Sequence, residues 1–355
     1  MKKYSWLYQI RGMAMIAVVV CHQQYLLHSS EWIQLLTLYS VTVLIFCAGI
    51  TRSISLKRWA EHSGGLHVCA FLRYLAGKLA PILCSYLIAT IAYLTLQHRW
   101  TGDIAAVLVN ALLTFSASGP LYFIKYYVVL TCLSPILQAM VTWAFSDRSR
   151  KWVSGLRLSA VLILTFLIGC WSLGRLSLLG GSYLSVYTAG IAFGSRPFPA
   201  LRKRDLPVIA VALLYGLWST KQFYWARIAG DTAYTAPLDR LAPKLQMNPP
   251  NLSIILYSAG CFLLFYWIFT SLESRGEALP SIPRLILRAL SEAGRYSLDI
   301  FVWHMLIQQI MIQLGFCAIP FLWMKRILFY GAMFFLPILG RRAYEKCRHA
   351  ICGDS

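Results

Sequence analysis

Apolar side chains gather along this chain in long windows separated by short polar or basic stretches, near residues 9–27, 32–50, 79–96, 119–144, 155–172, 181–194, 206–220, 252–271, 296–314 and 321–339. A helix needs roughly 20 apolar residues to cross the hydrocarbon core of a bilayer. The pattern therefore predicts an all-α protein, a polytopic transmembrane bundle of about ten spans. Asp103 to Ser118 is apolar but short, so it is predicted as a re-entrant or interfacial helix on the outer side.

Charge then fixes an orientation. With a cytoplasmic N-terminus, the inside positions hold Lys2, Lys3, Arg52, Lys57, Arg58, Arg73, Lys78, Arg148, Arg150, Lys151, Arg202, Lys203, Arg204, Arg341 and Arg342, among others. The outside positions hold only Arg99, Arg175, Lys221, Arg227, Arg240 and Lys244. This is the positive-inside bias of a membrane protein, and it places both termini in the cytoplasm. The same bias accounts for the net charge of +20, which on a soluble chain would suggest nucleic acid; no nucleic-acid partner is expected.

Composition agrees. At 58% hydrophobic and 13% charged residues, with a mean hydropathy of +0.61, the chain is too apolar for a soluble enzyme of this length. The segment after Met1-Lys2-Lys3 could pass for a signal peptide, but Arg11 interrupts it and no small-residue cleavage site follows, so it is expected to stay as a helix. The ten cysteines contain no CxxC pair and read as buried small hydrophobes. The longest loop, from about Ser219 to Asn251, is proline-rich and reads as an external cap. Residues 1–355 thus form a single integral-membrane domain, with any chemistry inside the bundle or at its rims.

Ionisable groups inside spans are costly and mark candidate sites. Arg11 and His22 lie eleven residues apart, about 20° beyond three full turns, so they share a helix face about 16 Å apart along the axis. An anionic head group at the cytoplasmic rim could meet Arg11 while a long arm carries a reactive end to His22, which Gln23 and Gln24 follow. The competing reading has Arg11 snorkelling to lipid and His22 as a core histidine. Arg73 and Lys78 stand just before a span on the inner side, and Lys125 sits within one. Asp299 and His304 lie about 140° apart round their helix, whereas Ser297 shares the face of His304. Asp299 is expected to pair with a base such as Arg295.

Ile10-Arg11-Gly12-Met13-Ala14-Met15-Ile16-Ala17-Val18-Val19-Val20-Cys21-His22 resembles the opening signature of the membrane acyltransferase-3 family, an arginine, ten residues and a histidine. Phe71 to Pro81 resembles its basic stretch, Gly119-Pro120-Leu121-Tyr122-Phe123 its aromatic segment, and Gly294-Arg295-Tyr296-Ser297 through His304 its late motif. Cys47-Ala48-Gly49-Ile50 departs from the family's Ser-Gly-Phe-like turn, and Arg73 stands alone where many members carry adjacent bases.

The resemblance implies a multi-pass enzyme of the cell inner (plasma) membrane that transfers an acyl group, usually acetyl from acetyl-CoA, to a hydroxyl of a cell-surface glycan or glycolipid. It implies His22 as general base with Arg11, and Arg11, Arg73 and Lys78 as contacts for the donor's phosphates. Tyr122, Lys125, Ser297, Asp299 and His304 are the expected acceptor-side residues. No metal and no permanently bound cofactor are required, because a thiolate leaves readily and histidine can take the hydroxyl proton. The rival is a transporter or flippase of a lipid-linked sugar or small solute, against which stands the lack of an internal repeat.

Overall fold

The computed structural model describes residues 4–23, 30–63, 68–147, 150–173, 179–231, 236–275 and 279–352. Gln24, Arg148 and Arg175, with Lys2 and Lys3, lie outside them. The described residues are helical with no strand. In order they form α1 (Ser5–His22), α2 (Glu31–Thr37), α3 (Ser40–Ser63), α4 (Val68–Leu96), α5 (Ile104–Thr114), α6 (Tyr122–Ala144), α7 (Lys151–Ser172), α8 (Tyr183–Ser195), α9 (Leu206–Ile228), α10 (Leu252–Glu273), α11 (Ser281–Arg295), α12 (Ser297–Gln313) and α13 (Leu322–Cys352).

Six segments among them are long and apolar enough to cross a membrane: Glu31–His62, Cys69–Leu96, Gly119–Ala144, Lys151–Ser172, Leu252–Glu273 and Leu322–Cys347. The four other expected spans are helices too, namely α1, α8, α9 and α12, but they are shorter or more polar. Large apolar side chains stand open on the outer faces, among them Leu167 and Trp171 of α7, Val208 and Val211 of α9 and Phe335 of α13. Such faces are stable against lipid tails and not against water. Pro81, Pro135 and Pro337 lie inside α4, α6 and α13, as membrane helices tolerate.

Asp103 to Ser118 yields a helix of only 11 residues, α5, about 16 Å long and too short to span. The Asp103 carboxylate caps it, accepting from the backbone N–H of Ala105 and Ala106, and Phe115 ends it in the left-handed region.

The chain divides into two compact units. The first takes Met1–Thr37, Ala80–Ile124 and Phe269–Ser355; the second takes Leu38–Leu79 and Lys125–Ile268. In the first, α1 packs on α11 and α12, and α12 on α13. Glycine permits the α1–α11 crossing: a Cβ on Gly12 would stand 2.1 Å from the Leu290 carbonyl oxygen, and one on Gly294 1.7 Å from that of Tyr8. In the second, α3 crosses α8 where Cβ atoms on Gly49 and Gly190 would each come within 2.2 Å of a facing carbonyl oxygen, the small-residue contact of membrane helices.

Three sequence expectations are corrected. The Ser219–Asn251 stretch is not all loop, because α9 continues to Ile228 before a turn held by buried Asp239, which accepts from the N–H and Oγ of Ser253 at 2.9 Å each. Burial pushes the Asp239 carboxyl above the usual carboxylate range. The cysteines are not uniformly buried: Cys47 and Cys261 are, whereas Cys69, Cys84, Cys132, Cys317 and Cys347 are exposed. Arg52 is no loop cation, since it lies within α3 and is buried.

Candidate active site

Within the first unit, α1 and α12 run side by side in the same direction, and polar residues meet along their seam at two levels. At the lower level Arg11 Nη2 donates to Ser297 Oγ at 2.8 Å, with the guanidinium 6.0 Å from the centroid of the Tyr8 ring. At the upper level the rings of His22 and His304 lie 5.2 Å apart. Beside them, Gln23 Nε2 donates to Gln308 Oε1 at 3.0 Å.

Local sequence explains the register. Arg11 and His22 share a face of α1 because their spacing is close to three turns, and Ser297, His304 and Gln308 share a face of α12 at intervals of seven and four. Tyr296 separates α11 from α12: its N–H still bonds Glu292 while its carbonyl starts the next helix at Ile300. The break lets α11 follow its own course while Ser297 opens the seam against Arg11.

The two histidines differ in environment. His22 ends α1 and is exposed. His304 is fully buried. Its Nδ1 lies 2.9 Å from the Phe301 carbonyl oxygen and 3.1 Å from that of Ile300. Carbonyls only accept, so Nδ1 carries the hydrogen and Nε2 keeps its lone pair. That Nε2 is buried and has no hydrogen-bond partner among the described residues, and the same holds for Gln23 Oε1. The far side of α12 is packed: Phe123 stands 4.5 Å from Phe301, and Tyr93 donates to the Val302 carbonyl at 3.3 Å.

The remaining predicted residues lie elsewhere. Asp299 points away from the seam, as its angle predicts, into a cavity of about 640 Å³ with Pro81, Trp303 and Arg341. The expected pairing with Arg295 is corrected: no ion pair joins them among the described residues, and the Arg295 guanidinium lies 5.3 Å from the Tyr296 ring centroid. Tyr122 and Lys125 are half-buried in the first turn of α6. Arg73 and Lys78 are exposed on α4, with Lys78 Nζ 5.6 Å from the Tyr74 ring centroid.

Sequence reasoning missed two features. Gln308 follows His304 by one turn, a spacing that could have flagged it. Arg52, in the second unit, donates to Tyr74 OH at 3.3 Å and to Thr131 Oγ1 at 3.2 Å; a buried guanidinium held by hydroxyls leaves no charge pattern to read.

A family model described as an acyltransferase domain matches residues 4–341. No curated protein and no solved structure matches the chain. The match spans nearly the whole sequence, so the chain belongs to the acyltransferase-3 family, and it is a multi-pass membrane acyltransferase.

Proposed function

We propose that this acyltransferase moves an acyl group, acetyl in the first instance, from acyl-CoA to a hydroxyl of a cell-surface glycan or lipid-linked sugar in the inner (plasma) membrane, with His22 as the general base. The single observation that carries this is the α1–α12 seam, where a cation with a hydroxyl partner stands at one end and paired imidazoles at the other, about 16 Å along the helix. Arg11 receives the donor's phosphates, and Arg73 and Lys78, basic residues just before an apolar window, are further candidates for that role. The arm then extends along the seam and brings the thioester to His22.

His22 takes the proton of the acceptor hydroxyl as its oxygen adds to the thioester carbonyl carbon. The carbon–sulfur bond then breaks, and the proton passes from His22 to the departing thiolate. His304 supports this step: with Nδ1–H committed to backbone carbonyls, its Nε2 can accept from the His22 N–H and steady the imidazolium that forms, the orienting role a carboxylate plays in other acyl-transfer sites. Ser297 fixes the Arg11 guanidinium, while Tyr122, Lys125 and Asp299 serve the acceptor side. With ten crossings and cytoplasmic termini, His22 lies toward the outer half of the membrane, so the acceptor approaches from outside.

The test is transfer or hydrolysis of radiolabelled acetyl-CoA by the purified protein in detergent. Turnover by the wild type and its loss in a folded His22→Ala variant are expected. A folded His22→Ala protein with full turnover would make His22 structural and end the mechanism.

A further inference from the structure

The first unit holds a second cavity, of about 690 Å³, that none of the preceding steps uses. It lies between α1, the end of α10 and α11, and Arg284, Arg288, Arg295 and Arg342 line it. Arg284, Arg288 and Arg295 are one stripe of α11, spaced four and seven residues apart, which superposes them within about 40° on a helix. Two carboxylates share the cavity, but both are engaged: Glu292 pairs with Arg342 at 2.5 Å, and Glu273 accepts from the Ser5 hydroxyl. Neither Arg288 nor Arg295 forms an ion pair among the described residues.

The other faces of α11 place this cavity. Leu290, Ala293 and Gly294 are buried where the helix meets α1. Ile282, Leu285 and Ile286 are 73%, 67% and 53% exposed. A helix with an apolar open face and an arginine stripe lies in the membrane interface, its apolar face in the acyl region. Two residues join the cavity to the seam. Tyr8 lines it and lies beneath Arg11; Arg295 lines it and stands two residues before Ser297.

A half-open space with an excess of guanidinium, at the foot of a polar seam, suits a compact polyanion, and arginine's planar fork matches phosphate oxygens. We propose that this cavity seats the phosphate-bearing head of the soluble acyl donor, with Arg288 and Arg295 as its principal contacts. This rests on the reading of the chain as an acyl-CoA-dependent transferase, and it assigns that donor a built seat on α11 in addition to the exposed Arg73 and Lys78. Anionic phospholipid carries the same phosphate chemistry, so the two sources are tested apart.

The full chain is placed in nanodiscs of phosphatidylcholine alone, and adenosine 3′,5′-bisphosphate, a phosphorylated head with no arm and no thioester, is titrated by calorimetry. Saturable binding is expected, weakened roughly tenfold in Arg288→Gln and in Arg295→Gln, as loss of a charge-assisted contact predicts, and partly restored in Arg288→Lys. Both arginines are exposed, so the variants should fold; size-exclusion profiles check this. His22→Ala should bind the bisphosphate as the wild type does. Unchanged affinity in the arginine variants would overturn the proposal. So would absence of nucleotide binding together with an anionic phospholipid retained by the wild type and lost from Arg288→Gln in native mass spectrometry. Transfer is read separately: the arginine-dependent affinity without any acyl transfer would keep the seat and sink the transferase chemistry, and transfer with arginine-independent binding would do the reverse.

Discussion

The α1–α12 seam of the first unit and the Arg52 site of the second hold their buried polar groups in different ways. Along the α1–α12 seam the first unit hides a histidine and two glutamines yet leaves His304 Nε2 and Gln23 Oε1 without partners among the described residues. Around Arg52 the second unit surrounds a full charge with hydroxyls that accept from it, although elsewhere in that unit Gln138 Oε1, Thr220 Oγ1 and Asn251 Nδ2 are also buried without a partner among the described residues. Unsatisfied polar atoms away from water cost free energy. We read the contrast as scaffold against reactive site: hydroxyls complete the arginine site, while the seam leaves acceptors open beside an exposed imidazole.

The sharpest break to this comparison is loss of the base. His22→Ala should lower transfer by about 10² to 10⁴ while thermal unfolding in detergent stays near wild type; a large fall in stability with retained turnover would move the seam into the scaffold class. Next in size is steric. Gly190→Leu in the second unit and Gly294→Leu in the first would each drive a side chain into a facing carbonyl, costing about 1–3 kcal/mol, seen as lower melting temperatures for both. Stability equal to wild type would show that these crossings are looser than their geometry.

Arg52→Leu should cost about 1–2 kcal/mol of stability, since it strands buried hydroxyls, and the protein that remains folded should transfer at close to the normal rate. Lost transfer in well-folded Arg52→Leu would put Arg52 in the catalytic path and erase the distinction between the units. Smallest is Asp103→Ala, which removes the α5 cap at about 1 kcal/mol; protease nicking near residue 103 measures it, and no change would mean the cap is idle.

Much of the fold was legible because lipid demands long apolar windows: among the described residues each predicted window falls on helix, and six segments are long and apolar enough to cross a membrane. Asp103 was readable as a helix start from its place before an apolar run. α11 escaped, because Arg284, Arg288, Glu292 and Arg295 dilute its hydropathy although its stripe is regular. The pairing of Arg11 with Ser297 and of His22 with His304 could not come from one helix at a time: spacing gives the face, and only packing brings two faces together. Arg52 was misread because a cation at the edge of an apolar window looks the same whether it ends in water or turns inward to Tyr74 and Thr131.

In the proposed mechanism His22 and His304 act as one unit, with His304 working only through His22. A double-mutant cycle on acetyl transfer, using His22→Ala, His304→Ala and the pair, tests it most directly. Each single change should slow transfer, and the double variant should be no slower than His22→Ala alone, within about threefold. Losses that multiply in the double variant, with all three proteins folded, would show that the two imidazoles serve separate tasks and would contradict it.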